Sequence, residues 1–220
     1  MIFPEGCGVF VDDFLLDEIQ PSDDMIYNIW EPRTTTLVLG FHNRPHRSVY
    51  TDRILMDRIM VNRRLGGGEP FLFQPGTIVL SCVKWAYENE FPKETYFFFN
   101  NLIKKCLEFN GIDSIEYRNI NELAIKGRLI MTSCLHSMGD MIMFQAVVFN
   151  NLELNEKFLY LNIDENPLYP VDLSHYSSLN REGFHFTADS LINSLDYYLK
   201  NFELFVTDDG LTSITEDQEK

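Results

Sequence analysis

The spacing of apolar and polar residues changes period along this chain, and the changes mark its elements. Gly8 to Asp17 fits a strand or a short helix, and Pro21 to Asp24 reads as a loop. Met25 to Trp30 alternates, as a half-buried strand does. Glu31-Pro32-Arg33 then reads as a turn into a β-branched strand over Thr34 to Leu39, ended by Gly40, so the two strands are expected to pair as a hairpin. Asp52 to Met60 has helical spacing, and Val61 to Arg64 reads as a short strand running into three glycines. Thr77 to Lys84 is a strand rich in valine and isoleucine. Between Lys93 and Asn110 the apolar positions Phe98, Leu102, Cys106 and Phe109 recur at three and four residues, and Gly111 follows as a helix stop. Ile115 to Tyr117, Glu122 to Ile125, Arg128 to Cys134 and Met141 to Phe149 read as successive strands. Asn151 to Ile163 fits neither period. Thr187 to Phe202 is a second amphipathic helix with Thr187 placed to cap it.

Strands, one helix, more antiparallel strands and a last helix make an α+β order rather than a repeating βαβ order, which argues against a doubly wound nucleotide fold. The expected organisation is one domain over residues 1–206 followed by an acidic, frayed tail over 207–220. Hydrophobic residues make up 45% and aromatics 14%, enough for a sizeable core. The formal net charge of −15 argues against nucleic-acid and acidic-lipid partners. It fits either a protein kept soluble by charge or one with a basic partner. The four cysteines form no CxxC pair, so a zinc knuckle is not expected. Acidic residues break any secretory apolar run, and no stretch is long enough to span a bilayer, so the expected setting is reducing and cytoplasmic.

The strongest local signal is Arg63-Arg64-Leu65-Gly66-Gly67-Gly68. Glycines let backbone approach a ligand closely, and neighbouring arginines suit a carboxylate or phosphate. A bare tight turn is the plain alternative, and the motif is neither a Walker A loop nor GxGxxG. Its context narrows the reading. Ile29-Trp-Glu-Pro-Arg33, Leu37-Val-Leu-Gly-Phe-His-Asn43, the arginine–glycine loop, Gly76-Thr77, and then Asn121-Glu122-Leu123 with Gly127-Arg128 occur in that order. Together they resemble the lipoate–protein ligase and octanoyltransferase family over residues 25 to 150. The resemblance implies a central mixed, mostly antiparallel sheet flanked by helices, of the biotin/lipoate–protein ligase catalytic-domain type. It implies a lipoate or octanoate ligand, with ATP and magnesium only if ligase chemistry is retained. The implied partner is a lipoyl-carrier domain or an active ligase subunit. The ligand-binding positions it carries over are Arg63, Arg64, Gly66, Gly67, Gly68, Glu69, Gln74, Asn121 and Leu129.

Several of those positions depart from the family pattern. A lysine in the strand after the Asn-Asp motif orients the acyl carbonyl in that family, and here Leu129 stands in its place. Lys126 and Arg128 are close in sequence, but a register slip or a bulge would be needed to bring either into that position. Glu69 replaces a glycine, and its carboxylate would repel an acyl-adenylate phosphate. Gln74 stands at a His-Asp motif, and Phe144-Gln145 at a His-Gly turn. Lys126 and Cys134 remain as catalytic candidates. Cys134, with His136 two residues on, could form a thiol–imidazole pair or could simply replace a small packing residue. His42 and His46 are spaced by four, but Pro45 argues against a metal-binding helix there, and no metal is expected. Met131, Met138, Met141 and Met143 would suit either a core or a flexible acyl chain. The expectation is a divergent family member, non-catalytic or with altered chemistry. The alternative is active lipoyl or octanoyl transfer to a carrier-domain lysine.

Overall fold

The computed structural model describes residues 8–87, 90–151, 160–162 and 173–202. Cys7, most of the 151–163 stretch and the 206/207 tail boundary lie outside them. The N-terminal segment divides into a strand, β1 (Gly8–Val9), a 3₁₀ turn (Val11–Phe14) and a short helix, α1 (Leu15–Glu18). Then come β2 (Met25–Trp30), β3 (Thr36–Leu39), α2 (Pro45–Ser48), α3 (Thr51–Met56), β4 (Met60–Arg63), β5 (Phe71–Phe73) and β6 (Thr77–Trp85). The second half holds α4 (Pro92–Phe109), β7 (Ile115–Asn119), β8 (Glu122–Ile125), β9 (Arg128–Met138), β10 (Met141–Phe149) and α5 (Ala188–Lys200).

The strands form a six-stranded antiparallel sheet, β2-β6-β10-β9-β8-β7, and a smaller mixed sheet, β1-β4-β3-β5. The expected β2–β3 hairpin does not form. Six residues of β2 pair with β6, whereas β3 lies parallel to β4 in the other sheet. The long apolar β6 offers β2 more pairing than four-residue β3 can, so Glu31-Pro32-Arg33 carries the chain between sheets.

Both faces of the large sheet are covered, so β6 and β10 are buried along nearly their whole length and are largely apolar, without a strict alternation. On one face Ile78, Leu80, Phe144 and Val148 pack with Phe99, Ile103 and Leu107 of α4 and with Leu191 and Leu195 of α5. Tucked between the sheets on the other face are Phe10, Val38, Phe71, Phe73, Val79, Leu129, Val147 and Phe149. The α2–α3 segment lies on the outside of the small sheet, where Val49 and Ile54 meet Leu37, Leu39 and Leu72. Pro45 opens α2 rather than preventing it, so His46 is helical while His42 lies in the preceding turn. The methionines are dispersed: Met131 packs toward the helices, Met143 packs under α1, and Met138 is exposed.

Candidate functional site

A cavity of about 630 Å³ opens between the two sheets, within the range of small-ligand sites. Its apolar walls are Phe71, Phe73, Val79, Leu129 and Val147. The arginine–glycine loop borders it through Arg64, Gly67, Gly68 and Glu69. Tyr96 of α4, Thr132 to Leu135 of β9, and Gln145 complete the wall, and Arg47, Arg118 and Asn121 stand among the polar lining residues.

β9 decides what reaches this space. Leu123 pairs with Met131 and Ala124 with Leu129, so Ile130 is the extra residue of a bulge. Ile130 and Met131 face the helices, while Leu129 joins the inter-sheet cluster and is 3% exposed. Lys126 and Gly127 form the two-residue β8–β9 turn, both with positive φ (52° and 72°), as a tight hairpin demands. That turn carries Lys126 out to solvent. Arg128 grips Glu182 with Nε (2.7 Å) and Nη2, and Lys126 Nζ lies 3.9 Å from the same carboxylate. Burial acts to raise the Glu182 carboxyl, but hydrogen bonds donated by Arg128 and Ser177 hold it below its ordinary range. Neither cation lines the cavity, whereas Leu129 does. The backbone there is pinned too, since Ser177 N donates to Leu129 O at 2.9 Å.

The two arginines of the loop have separate positions. Arg63 Nη1 donates to the carbonyls of Gly40 (2.8 Å), Phe41 (2.9 Å) and Asn43 (3.1 Å), clamping the 40–43 turn outside the cavity. Arg64 is buried and lines the cavity, with its guanidinium reaching the carbonyls of Gly67 (2.7 Å) and Glu69 (2.9 Å). Gly66 does not line the cavity. Its carbonyl accepts from Phe41 N at 3.0 Å, and its Cα abuts Cys134. Gly68 holds φ +90°, a conformation that favours glycine. Gln74 is buried away from the cavity, and its carbonyl accepts from Thr77 Oγ1 at 2.8 Å. Asn121 binds β9 through Nδ2 to Ser133 O at 3.1 Å.

Cys134 lies between the loop and the sheet, with Gln145 Oε1 3.9 Å from its sulfur. Burial pushes its thiol up, and the Arg64 guanidinium opposes that shift. His136 is not among the lining residues. One cluster went unseen in the sequence. Asp12 is fully buried and accepts from Asn28 Nδ2 (2.8 Å), Trp30 Nε1 (2.9 Å) and Ser81 Oγ (2.6 Å). Ser81 in turn receives Gln145 Nε2 at 3.4 Å, which links this hub to the cavity wall. A charged residue inside the apolar run Val9 to Leu16 was the available signal. Beside it, burial followed by the charge of Asp12 pushes Asp13 up to about 6.

Among the described residues no helix is long and apolar enough to cross a membrane, and no group of three or more His, Cys, Asp or Glu residues could hold a metal ion. The chain is similar in structure to a bipartite lipoate protein ligase of Thermoplasma acidophilum, described with its E2 lipoyl domain. The TM-score is 0.75 at 16% identity, over 86% of this chain and 75% of that one. A lipoate-protein ligase A bound with ATP matches with TM-score 0.74 at 15% identity, over 86% and 76% of the two chains. The P. falciparum protein LipL1, in complex with lipoate, matches with TM-score 0.68 at 15% identity, over 89% of this chain and 52% of that one. No curated protein matches in sequence. The pattern of the family described as Lipoyl protein ligase A/B catalytic domain matches residues 9–200, and the chain belongs to that family.

Proposed function

We propose that this protein keeps the acyl-binding cavity of its family without the lysine-dependent activation of the acyl group. It holds a lipoyl or octanoyl group between the two sheets and forms no acyl-adenylate. The observation that carries this reading is the placement of Leu129 on the cavity wall while Lys126 and Arg128 are bound to Glu182 outside it. An acyl carbonyl that develops negative charge needs a fixed donor or cation about 3 Å away, and losing one such group costs about 10²–10³ in rate. Leucine supplies neither. The two Nη groups of Arg64 are engaged by the backbone carbonyls of Val38, Gly67 and Glu69, whereas its buried Nε has no hydrogen-bond partner among the described residues. The carboxylate of Glu69, exposed on the same cavity, adds repulsion toward a phosphate. The aromatic and aliphatic walls suit an alkyl chain by burying its surface at roughly 25 cal/mol per Å².

The test is to incubate the protein with lipoate, ATP and magnesium, and separately with octanoyl-carrier protein. Mass spectrometry then follows acyl-adenylate, acyl-enzyme and modified acceptor, while calorimetry follows binding of lipoamide and octanamide. Amide binding without transfer is the expected result, and transfer in either assay overturns the reading. Active transfer to a carrier lysine is the second reading. It is favoured by the Cys134 thiol beside Arg64 on the cavity wall, and loss of transfer in Cys134→Ala would assign it to that thiol.

A further inference from the structure

The cavity wall changes character along β9. Leu129 stands at one end, clustered with Phe73, Val147 and Phe149. Thr132 pairs with Val147 and Val147 with Val79, and the row two residues further on is Cys134, Gln145 and Ser81. Tyr96 of α4 reaches that polar end, because its Oη accepts from Leu135 N at 3.1 Å. Burial pushes the phenol up to about 12, so it keeps its own proton and that O–H remains to donate. Arg64 lies at the same end, where its charge acts on both the Cys134 thiol and the Tyr96 phenol. It is 8% exposed, and its Nε has no hydrogen-bond partner among the described residues. Two cations are buried among those residues: Lys84 pairs with Glu90, whereas Arg64 has no carboxylate partner there. The carbonyls on its Nη groups supply no counter-charge. Nor does Cys134, because burial pushes its thiol up even beside Arg64. A buried charge is costly unless it is paired, so a guanidinium left this way on a cavity wall is suited to an anion. Arg47 and Arg118 line the cavity too, but they are exposed, where water and salt screen them.

We propose that Arg64 and Tyr96 form an anion subsite that takes the carboxylate of a free medium-chain acid, with the alkyl chain running along β9 toward Leu129. The proposal rests on the acyl-binding function above and adds which form of the ligand is held and in which direction. Arg64 Nε–H and the Tyr96 O–H supply one donor for each carboxylate oxygen, and the guanidinium supplies the charge. The apolar walls then cover the chain. Leu129 and Cys134 are five residues apart on β9, roughly 15 Å at about 3.3 Å per residue, which leaves room for a medium-length chain beyond its head group. The direction is opposite to the one the family pattern implies, in which the acyl carbonyl lies where Leu129 stands. A carboxyl group held at Arg64 does not need a cation at position 129, so the acid is retained without being activated.

The experiment uses the full chain with octanoate and octanamide, which share a chain and differ in charge, and reads binding by calorimetry. A crystal structure with 8-bromooctanoate reads the direction from the position of the bromine. The expected result is that octanoate binds at least about ten-fold more tightly than octanamide. That preference should fall to near parity in Arg64→Met and by about three-fold or more in Tyr96→Phe, and the bromine should lie beside Leu129. A bromine beside Cys134 would put the carboxylate at the Leu129 end and overturn the proposal. If octanamide binds as tightly as octanoate, or the preference survives both substitutions, the anion subsite is wrong and the cavity function stands. If octanoate binds through Arg64 and octanamide does not bind, the subsite stands and the amide binding expected above is wrong. If neither binds, the cavity function is wrong and the subsite falls with it. Should Arg64→Met fail to fold, Tyr96→Phe and the bromine position decide.

Discussion

Gly66 and Cys134 are in direct contact across the gap between the glycine loop and β9: a Cβ built on Gly66 would lie 2.6 Å from the Cys134 sulfur and 3.4 Å from its Cβ. The first glycine of the loop is therefore fitted to the sheet, not to a ligand. Gly66→Ala should destabilise the fold by about 1–3 kcal/mol through overpacking. In a Cys134→Ala background the clash is reduced to an ordinary contact, so the same substitution should cost at least about 1 kcal/mol less. Urea unfolding of the four proteins in a double-mutant cycle measures this, and additive losses would show that the contact does not matter.

Leu129→Lys restores the family's residue type at a position surrounded by Phe73, Val79 and Val147. Burial disfavours the charged amine there, so the variant should lose about 2–4 kcal/mol at neutral pH. The sign of its pH dependence follows. The folded amine has the lower pKa, the unfolded state binds more protons, and the deficit shrinks as pH rises. Melting temperatures of variant and parent at pH 7 and pH 9.5 give the comparison. A deficit that stays constant would mean the lysine escapes to solvent.

The elements read correctly from sequence are the long, well-punctuated ones. β6, β10 and α4 differ by at most one residue at each end from their expected spans. Phe71–Phe73 was missed because three residues carry no period, and α2 because it is a single turn. The false β2–β3 hairpin has a different cause. Adjacent strands usually pair, but pairing partners are chosen by contacts distant in sequence, and β6 won. The site divides the same way. The sequence singled out the loop and Leu129, of which Arg64, Gly67, Gly68, Glu69 and Leu129 border the cavity and Arg63 and Gly66 do not, and it could not separate Arg63 from Arg64. Their roles depend on which backbone carbonyls the fold brings to each guanidinium. The Ile130 bulge is equally non-local, and it leaves Leu129 rather than Arg128 on the cavity side.

Asp13 makes stability depend on pH in a direction opposite to that of a salt-bridged acid. Its Oδ1 is buried and has no hydrogen-bond partner among the described residues, and burial with the neighbouring Asp12 raises its pKa from 3.8 to about 6. Between those values the folded state binds the additional proton, so this group's contribution is full below pH 3.8 and is lost as pH rises through 6. Asp13→Asn removes that loss. Its stability relative to the parent should increase from pH 4 to pH 7 by on the order of 1–2 kcal/mol, the full shift being discounted because the side chain is partly exposed. Urea midpoints across this range test the prediction, and a pH-independent difference between the two proteins would defeat it.

Asp12, unlike its neighbour, is fully buried with both oxygens satisfied, by three donors from two strands. Asn28 and Trp30 belong to β2, Ser81 belongs to β6, and Asp12 itself lies in the segment that leads into α1. The hub therefore fastens the N-terminal segment to the large sheet beside the cavity. Asp12→Asn keeps the shape, but its amide group faces a donor that then has no acceptor. Stranding a buried donor costs about 1–3 kcal/mol, and losing the charge weakens the other bonds, for a total loss of about 2–4 kcal/mol. The indole of Trp30 reports the change directly, because its N–H leaves a carboxylate. Tryptophan fluorescence should shift in the folded variant as the urea midpoint falls. Ser81→Ala in the same protein separates the bonds, since it removes one donor and so should relieve part of the Asp12→Asn penalty. If the two losses simply add, Asp12 is not the centre of a coupled network.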